Sequence, residues 1–223
     1  MEPGSLMLGS LFVDALQFIP DHAQLLLDKT VETAELAFTA LGISLVIALP
    51  VGLWLGHRHR GLFFALGVSS IGRALPSIAI IGVLIAWLGV GFWNVTVALV
   101  VLGVPPVLTN TYFAVEGVDR DVVEAARGMG LTELQILRRV ELPLGLPLIL
   151  AGVKISAIFV IATATIAGIA GGGGLGEVMN NQPAYGLAGV LAAAICVSAL
   201  ALLTNGLLSL AQRAAYHRMA PTA

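Results

Sequence analysis

Long apolar segments separated by short polar stretches constrain this chain more than any other feature of its sequence. A helix needs about 20 mainly apolar residues to cross the hydrocarbon core of a bilayer. Only 11% of the residues are charged and 58% are hydrophobic, whereas about 25% of residues are charged in soluble domains. We therefore predict an all-α, polytopic membrane protein with about five transmembrane helices. The predicted spans are 36–56, 75–88, 94–113, 146–169 and 187–210.

Prolines interrupt two of these spans. Arg73 and Pro76 divide the apolar stretch 61–89, and Pro105-Pro106 is predicted to break the third span. A proline inside a span frees backbone groups, which neighbouring side chains or water must satisfy. Such breaks are typical of residues around a transport pathway. The predicted pathway-lining residues are Pro76, Pro105, Pro106, Asn110 and Tyr112.

The basic residues of the polar stretches predict the orientation of the chain in the membrane. All but one fall on the same predicted side: Arg58, Arg60, Arg120, Arg127, Arg138, Arg139, Arg213 and Arg218. The opposite stretches hold only Lys29. The excess of Lys and Arg in cytoplasmic loops predicts that this charged side is cytoplasmic. The domains are then an external segment 1–32, a transmembrane domain 33–210 with a cytoplasmic loop 116–143, and a cytoplasmic tail 211–223.

The loop 116–143, called the charged hairpin below, is predicted to contain two short helices. Asp119 is a good N-cap for a first helix that ends near Met129, and Thr132 with Gln135 matches a capping box for a second. Gly128 and Gly130 are expected to turn the backbone left-handed between them. Pro143 is expected to end the second helix near Glu141.

The first of these helices carries features of a docking surface. Ala125 and Ala126 are small enough for another surface to come close, and Glu124 and Arg127 place charge at the edge. The other reading of the hairpin is a solvated connection between two spans.

The hairpin resembles the EAA loop of ABC importer membrane subunits. Glu124-Ala125-Ala126, Gly130, Leu142 and Pro143 stand at that motif's spacing, and Val140 replaces the usual Ile. The resemblance implies a MetI-like permease fold in which the loop is a coupling helix for a cytoplasmic ABC ATPase. The residues implied in ATPase coupling are Asp121, Glu124, Ala125, Ala126, Arg127, Gly130, Leu142 and Pro143.

Other segments resemble the permeases of osmoprotectant importers, which carry glycine betaine, carnitine or choline. They include ALPSIAIIGVL at 74–84, PPVLTNTY at 105–112 and GGGGLG at 171–176. The resemblance implies a second, identical permease subunit, an extracytoplasmic solute-binding protein and a location in the cytoplasmic (inner) membrane. It implies no cofactor in this chain, because the partner ATPase binds ATP. A permease for another small solute, such as an amino acid, is the alternative within this class.

Other classes of function find little support in the residues. Residues 36–115 contain no Asp or Glu, so proton coupling through the spans lacks a carrier. A sodium-coupled secondary transporter remains a weaker alternative, since broken helices also occur there. An intramembrane enzyme would need a nucleophile beside a base, and Ser156, Thr163 and Thr165 have no such companion, so no catalytic residue is predicted.

Ligands other than a small solute are not expected either. No Cys or His stands at metal-ligand spacing, and a net charge of −2 gives no basic footprint for nucleic acid. The glycine run is expected to form a tight turn at 171–177, because no Lys-Ser or Lys-Thr follows as a P-loop requires. His57 and His59 are interpreted as markers of the membrane surface, and Lys154 as a side chain that snorkels toward the charged side.

Overall fold

The computed structural model of the chain describes residues 3–59, 61–74 and 76–219; the side chains of 3–10, 71, 73, 74, 167 and 217–219 are outside that description. Leu75, Arg60 and the side chains of Arg73 and Arg218, which entered the predictions above, therefore lie outside the described residues. The described chain is helical and contains no strand, which confirms the all-α fold class. Its α-helices are α1 (Pro3–Asp21), α2 (Ala23–His57), α3 (Leu62–Ala74), α4 (Ser77–Leu88), α5 (Phe92–Glu116), α6 (Arg120–Gly128), α7 (Glu133–Ile136), α8 (Leu142–Ala164), α9 (Leu175–Asn180) and α10 (Gln182–Met219).

Four helical stretches of the described chain are long and apolar enough to cross a membrane, judged by length and composition. They are Ala23–His57, Phe92–Glu116, Glu133–Ala164 and Gln182–Tyr216. Four of the about five predicted transmembrane helices correspond to these stretches. The predicted second span, 75–88, forms the 12-residue α4, which follows the 13-residue α3. Pro76 stands in extended geometry directly before α4, with ψ 125°, so the helix starts anew there instead of continuing from α3.

The predicted break at Pro105-Pro106 is wrong, because α5 continues through both prolines. Side chains bond to carbonyl groups beside them: the Ser156 hydroxyl donates to Gly103 O at 2.8 Å, and the Asn110 amide donates to Pro106 O at 2.8 Å. The carbonyl groups that lose their helical N–H partner at Pro105 and Pro106 are those of Val101 and Leu102, one turn earlier. The two prolines therefore remove backbone donors from α5 without ending it.

The end predicted near Glu141 is also wrong. A π-helical turn, Leu137–Glu141, joins α7 to α8, and Leu142 keeps right-handed helical geometry although it precedes Pro143. The Leu142 N–H bonds to Leu137 O, five residues back. This wider turn changes the register of the carbonyl groups ahead of the proline ring, which would otherwise clash with the preceding turn. The fourth span consequently begins within the hairpin.

The chain divides into two compact units. The first comprises Met1–Ala40, Pro76–Leu99 and Phe159–Leu203. Its glycine run turns with positive φ at Gly171, Gly173 and Gly174, and α9 begins directly after it at Leu175, inside the predicted turn.

Contacts with the first part of α2 hold this turn in place. The Glu32 carboxylate accepts the Gly174 N–H at 2.7 Å, and the Thr33 hydroxyl accepts the Leu175 N–H at 2.8 Å. Lys29 pairs with Glu32 and with Glu177 at 3.0 and 2.7 Å. The glycine run is therefore tied to α2 by side chains rather than left loose.

The second unit comprises Leu41–Leu75, Val100–Ile158 and Thr204–Ala223. Its core contains Ala48, Ala65, Val107, Leu108 and Tyr112. Glycines let α2 and α8 approach the second half of α5: a Cβ on Gly52 would lie 2.8 Å from Thr111 Cβ, and one on Gly152 would lie 2.5 Å from Asn110 Cβ. Small residues at helix interfaces permit such close packing in membrane proteins.

The polar stretches that the sequence assigns to opposite sides fall in different units. Lys29 and the glycine run belong to the first, and the 57–59 turn, the charged hairpin and the end of α10 belong to the second. Which side is cytoplasmic stays a prediction. The division into 1–32, 33–210 and 211–223 also stays a prediction, and its first boundary falls inside α2.

Candidate functional site

The charged hairpin begins with a capped helix. The Asp119 carboxylate accepts the Asp121 N–H at 2.9 Å, which confirms the predicted N-cap of α6. Asp121 in the first turn and Arg127 in the last complement the helix dipole. This arrangement makes a nine-residue polar helix a defined surface element.

The turn between the two hairpin helices depends on Gly130, whose φ is +85°. Gly128, predicted to turn left-handed as well, is instead the last residue of α6. The capping box at the next helix is confirmed: Thr132 Oγ1 accepts the Gln135 N–H at 3.4 Å, and Gln135 Oε1 accepts the Thr132 N–H at 2.9 Å. Both ends of the turn are thus fixed by local bonds.

A small apolar core holds the hairpin together. It comprises Val118, Val123, Ala126 and Ile136. Ala126 therefore packs inside the hairpin, while Ala125 is exposed on its outer face. The close approach allowed by Ala126 is made by the hairpin itself, which leaves Ala125 as the small residue available to another molecule.

The outer face combines charge with unusual apolar exposure. Val122 and Met129 expose 44% and 75% of their surface. Lipid accounts for exposed apolar side chains on the spans, but α6 and the turn after it lie outside every candidate span. Exposed apolar side chains at such a place are typical of a protein-binding surface. Of the other predicted coupling residues, Asp121, Glu124, Arg127 and Gly130 are exposed, and Leu142 and Pro143 are half-buried at the start of α8.

A chain of ionic contacts connects this face to the end of α2. The Arg127 guanidinium donates to both Glu133 oxygens at 2.9 and 3.1 Å. Glu133 also lies 3.3 Å from His57 Nε2, and His57 Nδ1 lies 2.6 Å from Glu141 Oε2. The bonds to Glu133 raise the pKa of the Arg127 guanidinium further above its ordinary value. Arg127 is therefore both an exposed charge and the first member of an internal network.

Sequence reasoning missed this network. His57 was interpreted as a marker of the membrane surface, yet its side chain is only 15% exposed and bonds to a carboxylate that is 1% exposed. Lys154 likewise has a specific partner: its ammonium group donates to Gln212 Oε1 at 3.3 Å, and the Gln212 amide donates to Pro147 O at 3.0 Å.

The predicted pathway residues are distributed over both units. Pro105, Pro106, Asn110 and Tyr112 lie on the part of α5 that belongs to the second unit, whereas Pro76 lies in the first. Tyr112 is 2% exposed and packs in the core of its unit. The lining role of all five stays a prediction. Within the part of the chain that the structure describes, no group of three or more His, Cys, Asp or Glu residues stands ready to hold a metal ion.

Comparisons with known proteins agree with this architecture. Residues 48–215 match the family described as binding-protein-dependent transport system inner membrane component. The choline transport system permease protein OpuBB of Bacillus subtilis (strain 168) is 36% identical, with 89% of this chain and 92% of that protein covered. The carnitine transport permease protein OpuCB of Listeria monocytogenes is 35% identical, with 84% and 87% covered.

A solved structure shares the fold. A crystal structure of the MetNI methionine ABC transporter, in an inward-facing conformation, matches with a TM-score of 0.76 over 87% of this chain and 98% of that one. The sequence identity is 24%, so this likeness supports the fold alone.

Proposed function

Because the chain belongs to the family of binding-protein-dependent transport system inner membrane components, we propose that it is the permease subunit through which an ABC importer moves a quaternary-ammonium osmoprotectant. Members of this family are transport components and not enzymes in the usual sense. The proposal has two parts, namely the solute and the way in which ATP energy reaches the spans.

The solute is inferred from the relatives. Two permeases with 35–36% identity over most of both chains are named for choline and carnitine, and a third, at 34%, for glycine betaine, carnitine and choline. We infer the same class of solute here. An amino acid is the second candidate, but the methionine transporter shares only the fold at 24% identity, which does not favour methionine.

The observation that carries the energy-coupling part is the exposure of apolar side chains on the charged hairpin, outside the candidate spans. Val122 and Met129 are exposed on α6 and directly after it, among the exposed charges of Glu124 and Arg127, so a partner surface with apolar pockets and charged edges fits this face. We infer that a cytoplasmic ABC ATPase docks there. The partners are then two ATPase subunits, a second copy of this permease and an extracytoplasmic solute-binding protein, with the hairpin and C-terminus in the cytoplasm and the N-terminus outside.

The mechanism follows from the attachment of the hairpin. α6 continues through a three-residue connection into α5, and α7 continues through the π-helical turn into α8. Movement of docked ATPases would therefore be transmitted to two spans through backbone. The ATP-bound ATPases would bind one conformation of the permease more tightly than the other. ATP binding would therefore shift the population between the states that open to either side of the membrane.

Reconstitution tests both parts. The permease would be placed in liposomes with its ATPase and its solute-binding protein, and uptake of labelled glycine betaine, choline, carnitine and methionine would be measured with and without ATP. We expect ATP-dependent uptake of at least one quaternary-ammonium solute and none of methionine. Equal uptake without the ATPase would contradict the coupling role, and ATP-dependent uptake of methionine alone would contradict the assigned solute.

A further inference from the structure

The end of α2 has no covalent connection to the charged hairpin. After His57 the chain turns into α3, whereas the hairpin is joined to α5 and α8. Any movement of the hairpin therefore reaches the end of α2 through non-covalent contacts. The contacts between His57 and the two glutamates, Glu133 and Glu141, are the polar ones that the structure provides at this point.

The pair of His57 and Glu141 is unusual for its burial. The Glu141 side chain is 1% exposed, and its carboxylate contacts His57 Nδ1 at 2.6 Å. A buried carboxylate without a partner is strongly unfavourable, so Glu141 requires this histidine or a substitute for it. This requirement fixes the end of α2 relative to the hairpin, because His57 is the last residue of α2 and Glu141 is the last residue of the π-helical turn.

The imidazole is shared between two acceptors. Its Nδ1 faces Glu141 and its Nε2 faces Glu133, at 2.6 and 3.3 Å. Ionised carboxylates only accept, so both contacts are hydrogen bonds when both ring nitrogens carry protons, or when one carboxyl group carries the proton instead. Glu133 is in turn held by the fork of the Arg127 guanidinium. Arg127, Glu133 and His57 thus form one continuous path from α6 to α2, and Glu141 holds the histidine at its end.

The surroundings leave room for this path to rearrange. A cavity of about 280 Å³ lies beside it, lined by His57, His59, Arg120, Glu124, Arg127 and Glu141 among others. A π-helical turn at the same place is a local departure from regular helix, and such turns often occur at functional sites. The bond between His57 and Glu141 can therefore persist next to this open volume while the exposed members of the path, Glu133 and Arg127, change partners.

We propose that His57 is a positioning residue that links the docking helix α6 to α2, so that displacement of Arg127 by a bound partner is passed through Glu133 and His57 to the end of the first span. This inference rests on the proposed docking of an ATPase at α6. The hairpin is joined to α5 and α8 by backbone, and the proposed link would make α2 the third span that moves with it.

Two double variants separate this linking role from a merely stabilising one. His57→Leu with Glu141→Leu removes the link but leaves no buried charge, and apolar replacement of a buried ion pair is commonly tolerated. His57→Gln with Glu141→Gln also removes the charges but keeps two amides that can hydrogen-bond. His59→Asn is the control, because His59 lines the same cavity, is exposed and has φ +49°, which asparagine tolerates.

The measurement is the number of solute molecules taken up per ATP hydrolysed by the reconstituted complex, alongside the yield of assembled complex. We expect the leucine pair to assemble and to lower this ratio by about fivefold or more, in the range of energetic coupling between sites. The glutamine pair and His59→Asn should keep a ratio close to that of the unchanged protein. A leucine pair that assembles and keeps the unchanged ratio overturns the linking role.

The two proposals fail in different ways. If the unchanged complex shows no ATP-dependent uptake of any tested solute, the proposed function is wrong. If the unchanged complex couples uptake to ATP hydrolysis and the leucine pair does so equally well, the function stands and the role of His57 is wrong. Should the leucine pair not assemble, the glutamine pair decides: a ratio lowered by about fivefold despite normal assembly would overturn the role of the hydrogen-bonded link.

Discussion

The turn at Gly130 offers a sharp test of whether the shape of the charged hairpin matters for docking. Its φ is +85°, and a Cβ added there would meet nothing within 4 Å. The whole cost of Gly130→Ala is therefore backbone strain, about 1–2 kcal/mol for an L-residue in the left-handed region. A change of that size shifts the turn by about 5–30-fold toward other conformations.

Gly128 supplies a matched control two residues away. A Cβ added there also meets nothing within 4 Å, but Gly128 is helical at the end of α6. Gly128→Ala should therefore stabilise the helix by roughly 0.5–1 kcal/mol. Gly130→Asn should recover part of what Gly130→Ala loses, because asparagine visits the left-handed region more readily than alanine.

The assay is binding of the purified ATPase to the permease in lipid nanodiscs, followed by uptake in liposomes. We expect Gly130→Ala to weaken ATPase binding by about 5–30-fold, with Gly130→Asn between it and the unchanged protein and Gly128→Ala at least as good as the unchanged protein. Membrane insertion should be equal in all four. If the two alanine variants bind the ATPase equally well, the turn geometry has no part in docking and the reasoning is refuted.

Two further predictions concern packing away from the hairpin. Thr33→Val removes the acceptor of the buried Leu175 N–H, which should cost about 1–3 kcal/mol and lower the Tm of the detergent-solubilised protein; an unchanged Tm would contradict the role of this bond. Gly152→Ala places a Cβ 2.5 Å from Asn110 Cβ and should destabilise by about 1–3 kcal/mol, while Gly42→Ala, with open space around it, should not; equal Tm values for the two would argue against tight packing of α8 on α5.

Local sequence signals predicted the local structure well. The caps at Asp119 and Thr132 and the left-handed turn at Gly130 were confirmed because each depends on residues within three positions of one another. The prolines were misread for the opposite reason. Whether a proline breaks a helix depends on how distant parts of the chain pack around it, such as Gly152 of α8, whose added Cβ would lie 3.0 Å from Pro106 O, and no local pattern contains that information.

The pair of His57 and Glu141 lay beyond local reasoning as well, since 84 residues separate the two. A general signal was nonetheless present. Glu141 stands at the entry to a long apolar helix, where a carboxylate needs a partner. The HRHR stretch at 57–60 was predicted on the same side of the membrane, so one of its basic residues was an available partner. His57 and Glu141 were interpreted separately, each as a surface residue, so the need of the buried carboxylate for the histidine was missed.

The second unit combines two kinds of attachment to the hairpin, and they have different consequences. Backbone joins the hairpin to α5 and α8, and those two helices approach each other closely where Gly145 meets Ala114 O and Gly152 meets Asn110. α2 joins the same group because its Gly52 and Gly56 pack against α5 and because His57, at its end, bonds to Glu141. Close-packed helices of this kind transmit strain instead of absorbing it. A force on α6 therefore acts on three helices whose cytoplasmic ends, on the proposed orientation, are held as one body, and the ionic path through His57 is the member of that body that substitution can remove without disturbing the backbone.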